Sequence, residues 1–99
     1  MIVIQDTFNL KYGKARDAKA VWQEMKTIMQ SDPSFNTPHM MTDLTGQSYR
    51  LVMQSQYASL SEFENSLSKV FSNKDWQAAY QKFVPLIESG HREIFTLVE

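Results

Sequence analysis

Gln5, Thr7 and Asn9 share one parity in IVIQDTFNL, and Arg50, Gln54 and Gln56 share one parity in RLVMQSQY. In an extended chain successive side chains point to opposite faces, so each trio lies on one face of its strand. If the two strands are neighbours and the trios share a face, amides, a hydroxyl and a guanidinium gather in otherwise apolar surroundings. A site for a small organic molecule is commonly built that way. Arg50 suits an anionic or carbonyl-bearing ligand, because its planar fork donates several hydrogen bonds at once. The same groups would also serve as a polar stripe in an interface, satisfied by a partner chain and water. Asp6 is a lesser candidate, as a base; an exposed or hydrogen-bonded carboxylate is the plainer reading.

A second set is aromatic. Trp22, Trp76, Tyr80 and Phe83 could wall a flat pocket, although their helical spacing is also what core packing requires, and packing is the weightier reading. The six methionines follow the same logic, as gap-fillers or as an adaptable lining. His39 and His91 both fall at expected strand starts, where a solvated or hydrogen-bonded role is the simpler one. Two histidines with no matched carboxylate spacing carry no metal signal. The candidate ligand-binding set is therefore Asn9, Trp22, Arg50, Gln54, Trp76, Tyr80 and His91, with no catalytic residue, metal or cofactor assigned. No Ser-His-Asp set, phosphate loop or paired carboxylate is visible.

Composition narrows the field. With 99 residues there is room for one domain and one core. A net charge of −1 provides no basic field for nucleic acid and no polybasic membrane patch. The absence of cysteine excludes disulfides and thiolate chemistry. MIVIQDTFNLKYG lacks a basic start and a long apolar run, and no stretch approaches the roughly 20 apolar residues of a membrane span. A cytoplasmic protein is the expectation.

These side chains must be held by regular elements. IVIQDTFNL reads as a strand broken by Gly13. From Lys14 the period becomes helical, with Ala18, Val21, Trp22, Met25, Ile28 and Met29 on one face, and Asp32-Pro33 ends the helix. PHMMTDL (38–44) and SYRLVMQSQY (48–57) read as strands joined through Thr45-Gly46-Gln47, a hairpin signal. Ser59 and Glu62 fit a capping box opening a helix whose apolar face is Leu60, Phe63, Leu67, Val70 and Phe71. Ser72 and Asp75 repeat that pattern before DWQAAYQKFVPLIESG, which reads as a helix kinked or ended at Pro85, with Gly90 as its C-terminal stop. HREIFTLVE closes as a strand.

The order β-α-β-β-α-α-β is the ferredoxin-like, split βαβ pattern: an α+β domain whose four-stranded antiparallel sheet carries helices on one face. The strands do not alternate cleanly. Ile2-Val3-Ile4, Leu51-Val52-Met53 and Ile94-Phe95 place apolar groups on both faces, and helices cover one. Leaving several large side chains wet, at about 1.5–3 kcal/mol each, forgoes on the order of 10 kcal/mol, comparable to the whole stability of a typical domain. A second copy packed sheet to sheet is the simplest remedy.

FNLKYGKA, TDLTGQSYRLVMQSQYASLSEFE and the DW…F…PLIESG stretch running into the last strand resemble the NIPSNAP-like domains of the dimeric α/β-barrel superfamily, over nearly the whole chain, residues 1–99. The resemblance implies a homodimer paired through sheet faces as a dimeric α/β barrel, with a ligand held between helices and sheet. The superfamily includes antibiotic-biosynthesis monooxygenases, haem-degrading enzymes and muconolactone isomerases. The haem-degrading members take iron on a helix histidine, and neither His39 nor His91 is expected on a helix, so that role does not carry over. The reading that results is binding of a small, largely apolar molecule, extending to cofactor-independent oxygenation or isomerisation. The alternative is a non-catalytic dimerisation module with a closed pocket.

Overall fold

The computed structural model describes residues 1–33, 35–45 and 49–98. It contains strand β1 (Ile2–Leu10), helix α1 (Ala15–Gln30), strands β2 (His39–Thr42) and β3 (Arg50–Tyr57), helices α2 (Leu60–Ser72) and α3 (Lys74–Phe83), a 3₁₀ turn (Val84–Leu86) and strand β4 (Ile87–Thr96). The strands form one sheet in the order β2-β3-β1-β4, every neighbouring pair antiparallel. This is the ferredoxin-like α+β architecture, with β1 and β3 at the centre.

Register decides which side each residue faces, because residues opposite one another across a ladder share a face. Phe8 lies opposite Leu51 and Gly90, and Asp6 opposite Met53 and Arg92. These residues face the helices, as the edge contact of Phe8 on Phe83 of α3 shows. The other parity, with Gln5 opposite Gln54 and Thr7 opposite Val52, faces away from them.

The core lies between sheet and helices. Ala18, Trp22, Met25 and Met29 form the buried stripe of α1, and Trp76, Ala79 and Phe83 that of α3. They close over Leu10 and Leu51. In α2 only Phe63 and Val70 are buried; Leu60 and Phe71, expected on the same apolar face, are about half exposed because they sit on its flanks.

Several boundaries differ from the sequence reading. Asn73, not Ser72, caps α3: its backbone is extended and its Oδ1 accepts from the Trp76 N–H at 2.9 Å. Ser72 instead ends α2 and donates to the Lys69 carbonyl. Helix α3 ends before Pro85, which lacks the N–H to continue it. One 3₁₀ turn follows, the Lys11 N–H grips the Leu86 carbonyl at 2.9 Å, and Ile87 already pairs with Leu10. Gly90 is therefore a residue of β4 and not a helix stop, and His91 lies inside the strand, opposite Thr7, rather than at its start. Strand β2 is shorter than expected, since the Asp43 carboxylate takes the Arg50 N–H at 3.1 Å where a ladder bond would continue. The connection expected at Thr45-Gly46-Gln47 runs through Gly46 and Gln47, outside the described residues.

Candidate functional site

Between α1, α2, α3 and the sheet lies a cavity of about 240 Å³. Its walls are mostly apolar. Trp22, Met25 and Met29 come from α1, Phe63 and Val70 from α2, and Trp76 and Tyr80 from α3. Trp76 and Tyr80, one helical turn apart, stack with ring centroids 4.9 Å apart and 12° between planes. Spacing of this kind puts two rings on one face of a helix, so the sequence dictates the stack locally.

The sheet supplies the polar part. Asp6 on the central strand and Arg92 on the edge strand lie directly opposite, both toward the cavity. Arg92 Nε donates to Asp6 Oδ1 at 2.6 Å, while Nη2 stands 3.5 Å from Oδ2. The guanidinium also sits over the Phe63 ring, 5.0 Å from its centroid, which fixes its plane by cation–π attraction. The Asp6 side chain is 16% exposed and that of Arg92 41%, so the carboxylate belongs to the cavity and the guanidinium reaches its mouth. Ser55 and Ser66 also line the space, and the Tyr57 hydroxyl donates to Ser66 Oγ at 3.1 Å.

The seven residues singled out in the sequence do not converge. Trp22, Trp76 and Tyr80 line the cavity. Asn9, Arg50, Gln54 and His91 lie on the opposite face of the sheet. The two polar trios do share a face, as their parity implied, but it is the face without helices. There Gln54 Nε2 donates to Gln5 Oε1 at 3.3 Å, Asn9 donates to Ser89 Oγ at 2.8 Å, and His91 lies 3.4 Å from Glu93. Arg50 is tied to Asp43 through its Nε at 3.4 Å, so its fork already serves the β2–β3 end. Thr7, beneath these side chains, is only 5% exposed.

The sequence reading does not single out Arg92, and it takes Asp6 more plainly as an exposed or hydrogen-bonded carboxylate than as a base. A signal existed: Arg92 is in phase with Ile94, and Asp6 with Ile4 and Phe8, so both charges ride on the apolar parity of their strands. Among the described residues no group of three or more histidines, aspartates or glutamates is placed to hold a metal ion. No helix among them is long and apolar enough to cross a membrane.

The fold and its helix-side cavity define the class, an α+β ferredoxin-like domain. The chain belongs to the NIPSNAP family, whose family model matches residues 6–99. Similar solved structures include an uncharacterized NIPSNAP domain protein from Burkholderia xenovorans, 19% identical, covering 99% of this chain and 95% of that one with a TM-score of 0.88. A NIPSNAP family protein from Agrobacterium tumefaciens is 21% identical over 99% of this chain and 93% of that one, also with a TM-score of 0.88. An antibiotic biosynthesis monooxygenase shares the fold over the full length of both chains, with a TM-score of 0.76 and 8% identity. A search among curated proteins found no match.

Proposed function

We propose that this chain binds a small, largely apolar organic molecule in the cavity between its helices and sheet, as a homodimer joined through the helix-free sheet faces. The observation that carries the first part is the cavity itself: about 240 Å³ walled by aromatics and methionines around one oriented ion pair. An engineered apolar cavity of roughly 150 Å³ accepts benzene, so this one has room for a larger ring system. The second part rests on the helix-free face, where Met41 and Phe95 are 42% and 46% exposed beside the central polar rows. A cytoplasmic location accompanies this reading.

The reading extends to cofactor-independent oxygenation or isomerisation, to which the fold shared with a monooxygenase lends support. Such chemistry needs a base for a carbon acid and a donor for the developing oxyanion. Asp6 and Arg92 are the groups in the cavity that could fill those roles. A second reading, a non-catalytic dimerisation module, draws support from the ring-to-ring packing of Trp76, Tyr80 and Phe83, which helps to close the space from within.

Native mass spectrometry of the purified protein tests both parts. The expected species is twice the chain mass plus a small adduct. A bare monomer at micromolar concentration would sink the dimer. A dimer that also fails to quench tryptophan emission on titration with naphthalene would leave only the module.

A further inference from the structure

Resting on the binding reading and deepening it, we infer that the cavity selects a neutral molecule that carries a hydrogen-bond donor and acceptor side by side on a flat apolar body. A primary amide or lactam on fused rings is the type, and the matching carboxylate is rejected.

The ion pair between Asp6 and Arg92 is incompletely closed. One contact is short, Nε to Oδ1 at 2.6 Å, while the other, Nη2 to Oδ2, is 3.5 Å, at the limit of a hydrogen bond. A guanidinium has five N–H donors and a carboxylate about four acceptor positions. Among the described residues no other side-chain hydrogen bond reaches either group. Oδ2 and the Nη groups therefore keep unused valences side by side, one accepting and one donating. The mate for such an edge is a donor next to an acceptor, which is what an amide presents.

Charge excludes the anion. A lone arginine in an apolar cavity would draw a carboxylate, but here Asp6 already neutralises it, and Asp6 is the more buried partner. A second carboxylate would meet Asp6 across a poorly screening apolar space. A plain hydrocarbon would fill the volume but displace water from Oδ2 and Nη without replacing its hydrogen bonds. The stacked Trp76–Tyr80 pair and Met25, Met29 and Met53 supply flat and adaptable walls for the body of the ligand.

The test uses three probes of nearly one shape: 2-naphthamide, 2-naphthoate and naphthalene, titrated into the intact protein and followed by tryptophan quenching and calorimetry. The amide is expected to bind roughly tenfold more tightly than either other probe, the scale of one net hydrogen bond. In Asp6→Asn the repelling charge is gone, and naphthoate is expected to overtake the amide. In Arg92→Gln, on the exposed edge strand, the guanidinium donors are lost while Asp6 still accepts, so the amide's advantage over naphthalene should narrow. Far-UV circular dichroism checks that each variant is folded, and Arg92→Gln serves if Asp6→Asn is not. Naphthoate binding the native protein as tightly as the amide would overturn the inference. So would an amide no better than naphthalene, with the cavity reading left intact because naphthalene still quenches. Failure of all three probes would remove the inference and the binding reading together.

Discussion

At the scale of single residues, what matters is which neighbour occupies the space beside a side chain. Gly90 shows this. A Cβ built there would stand 2.9 Å from Phe8 Cδ1 and 3.4 Å from the Thr7 carbonyl oxygen. Phe8 cannot simply swing away, because its ring stands edge-on against Phe83 with centroids 5.2 Å apart. Gly90→Ala should therefore cost about 1–3 kcal/mol as an overpacking change, measured as a lower midpoint in urea unfolding. An unchanged midpoint would mean that Phe8 has free space the structure does not show. The sequence suggested a helix stop at this position because glycine after a helical period usually is one. Its actual role, a strand residue lying under an aromatic ring, depends on a partner far away in sequence. Asp6 and Arg92 were obscure for the same reason. Each rides on an apolar parity, but nothing local says that the two meet.

At the scale of elements, local rules carry further. The apolar stripes of α1 and α3 lie where a 3.6-residue period puts them. Ser59 caps α2 by accepting from the Glu62 N–H at 3.2 Å, and Glu62 reaches back to the Ala58 N–H. The cap of α3 is legible in the sequence as a cap but not to the residue, since Ser72 and Asn73 are both good caps and adjacent. Only the extended backbone at Asn73 decides between them. Asn73→Ala should cost about 1 kcal/mol, whereas the exposed Ser72→Ala should change stability by less than about 0.5 kcal/mol. Equal effects in thermal unfolding would contradict the assignment. Pro85 also acted as expected at this scale. The helix ended close before it, and the strand that followed began earlier than the sequence suggested.

At the scale of the whole molecule, the sheet has two unlike faces. Its helix side encloses the cavity, and its other side exposes Phe95 and Met41 around a hydrogen-bonded polar centre. Val52 lies on that open face between Met41 and Thr7. If the proposed dimer forms there, Val52→Lys places an unpaired charge in its centre and should yield a folded monomer by light scattering, with the circular dichroism spectrum retained. A dimer that persists unchanged would move the interface elsewhere. The same variant should leave naphthalene binding intact, because the cavity lies behind the sheet.

From the sequence alone came the order of elements, their periodicities and the presence of apolar groups on both sheet faces. Those features are local, or depend only on counting along the chain, so hydrophobic spacing and backbone chemistry suffice to read them. Tertiary structure alone decided which parity faces the helices. It sent Asn9, Arg50, Gln54 and His91 to one side of the sheet and Trp22, Trp76 and Tyr80 to the other. It also joined Asp6 to Arg92 across a ladder between strands at opposite ends of the chain. A register offset of one residue would turn every side chain of a strand to the other face, and register is set by the packing of the assembled core.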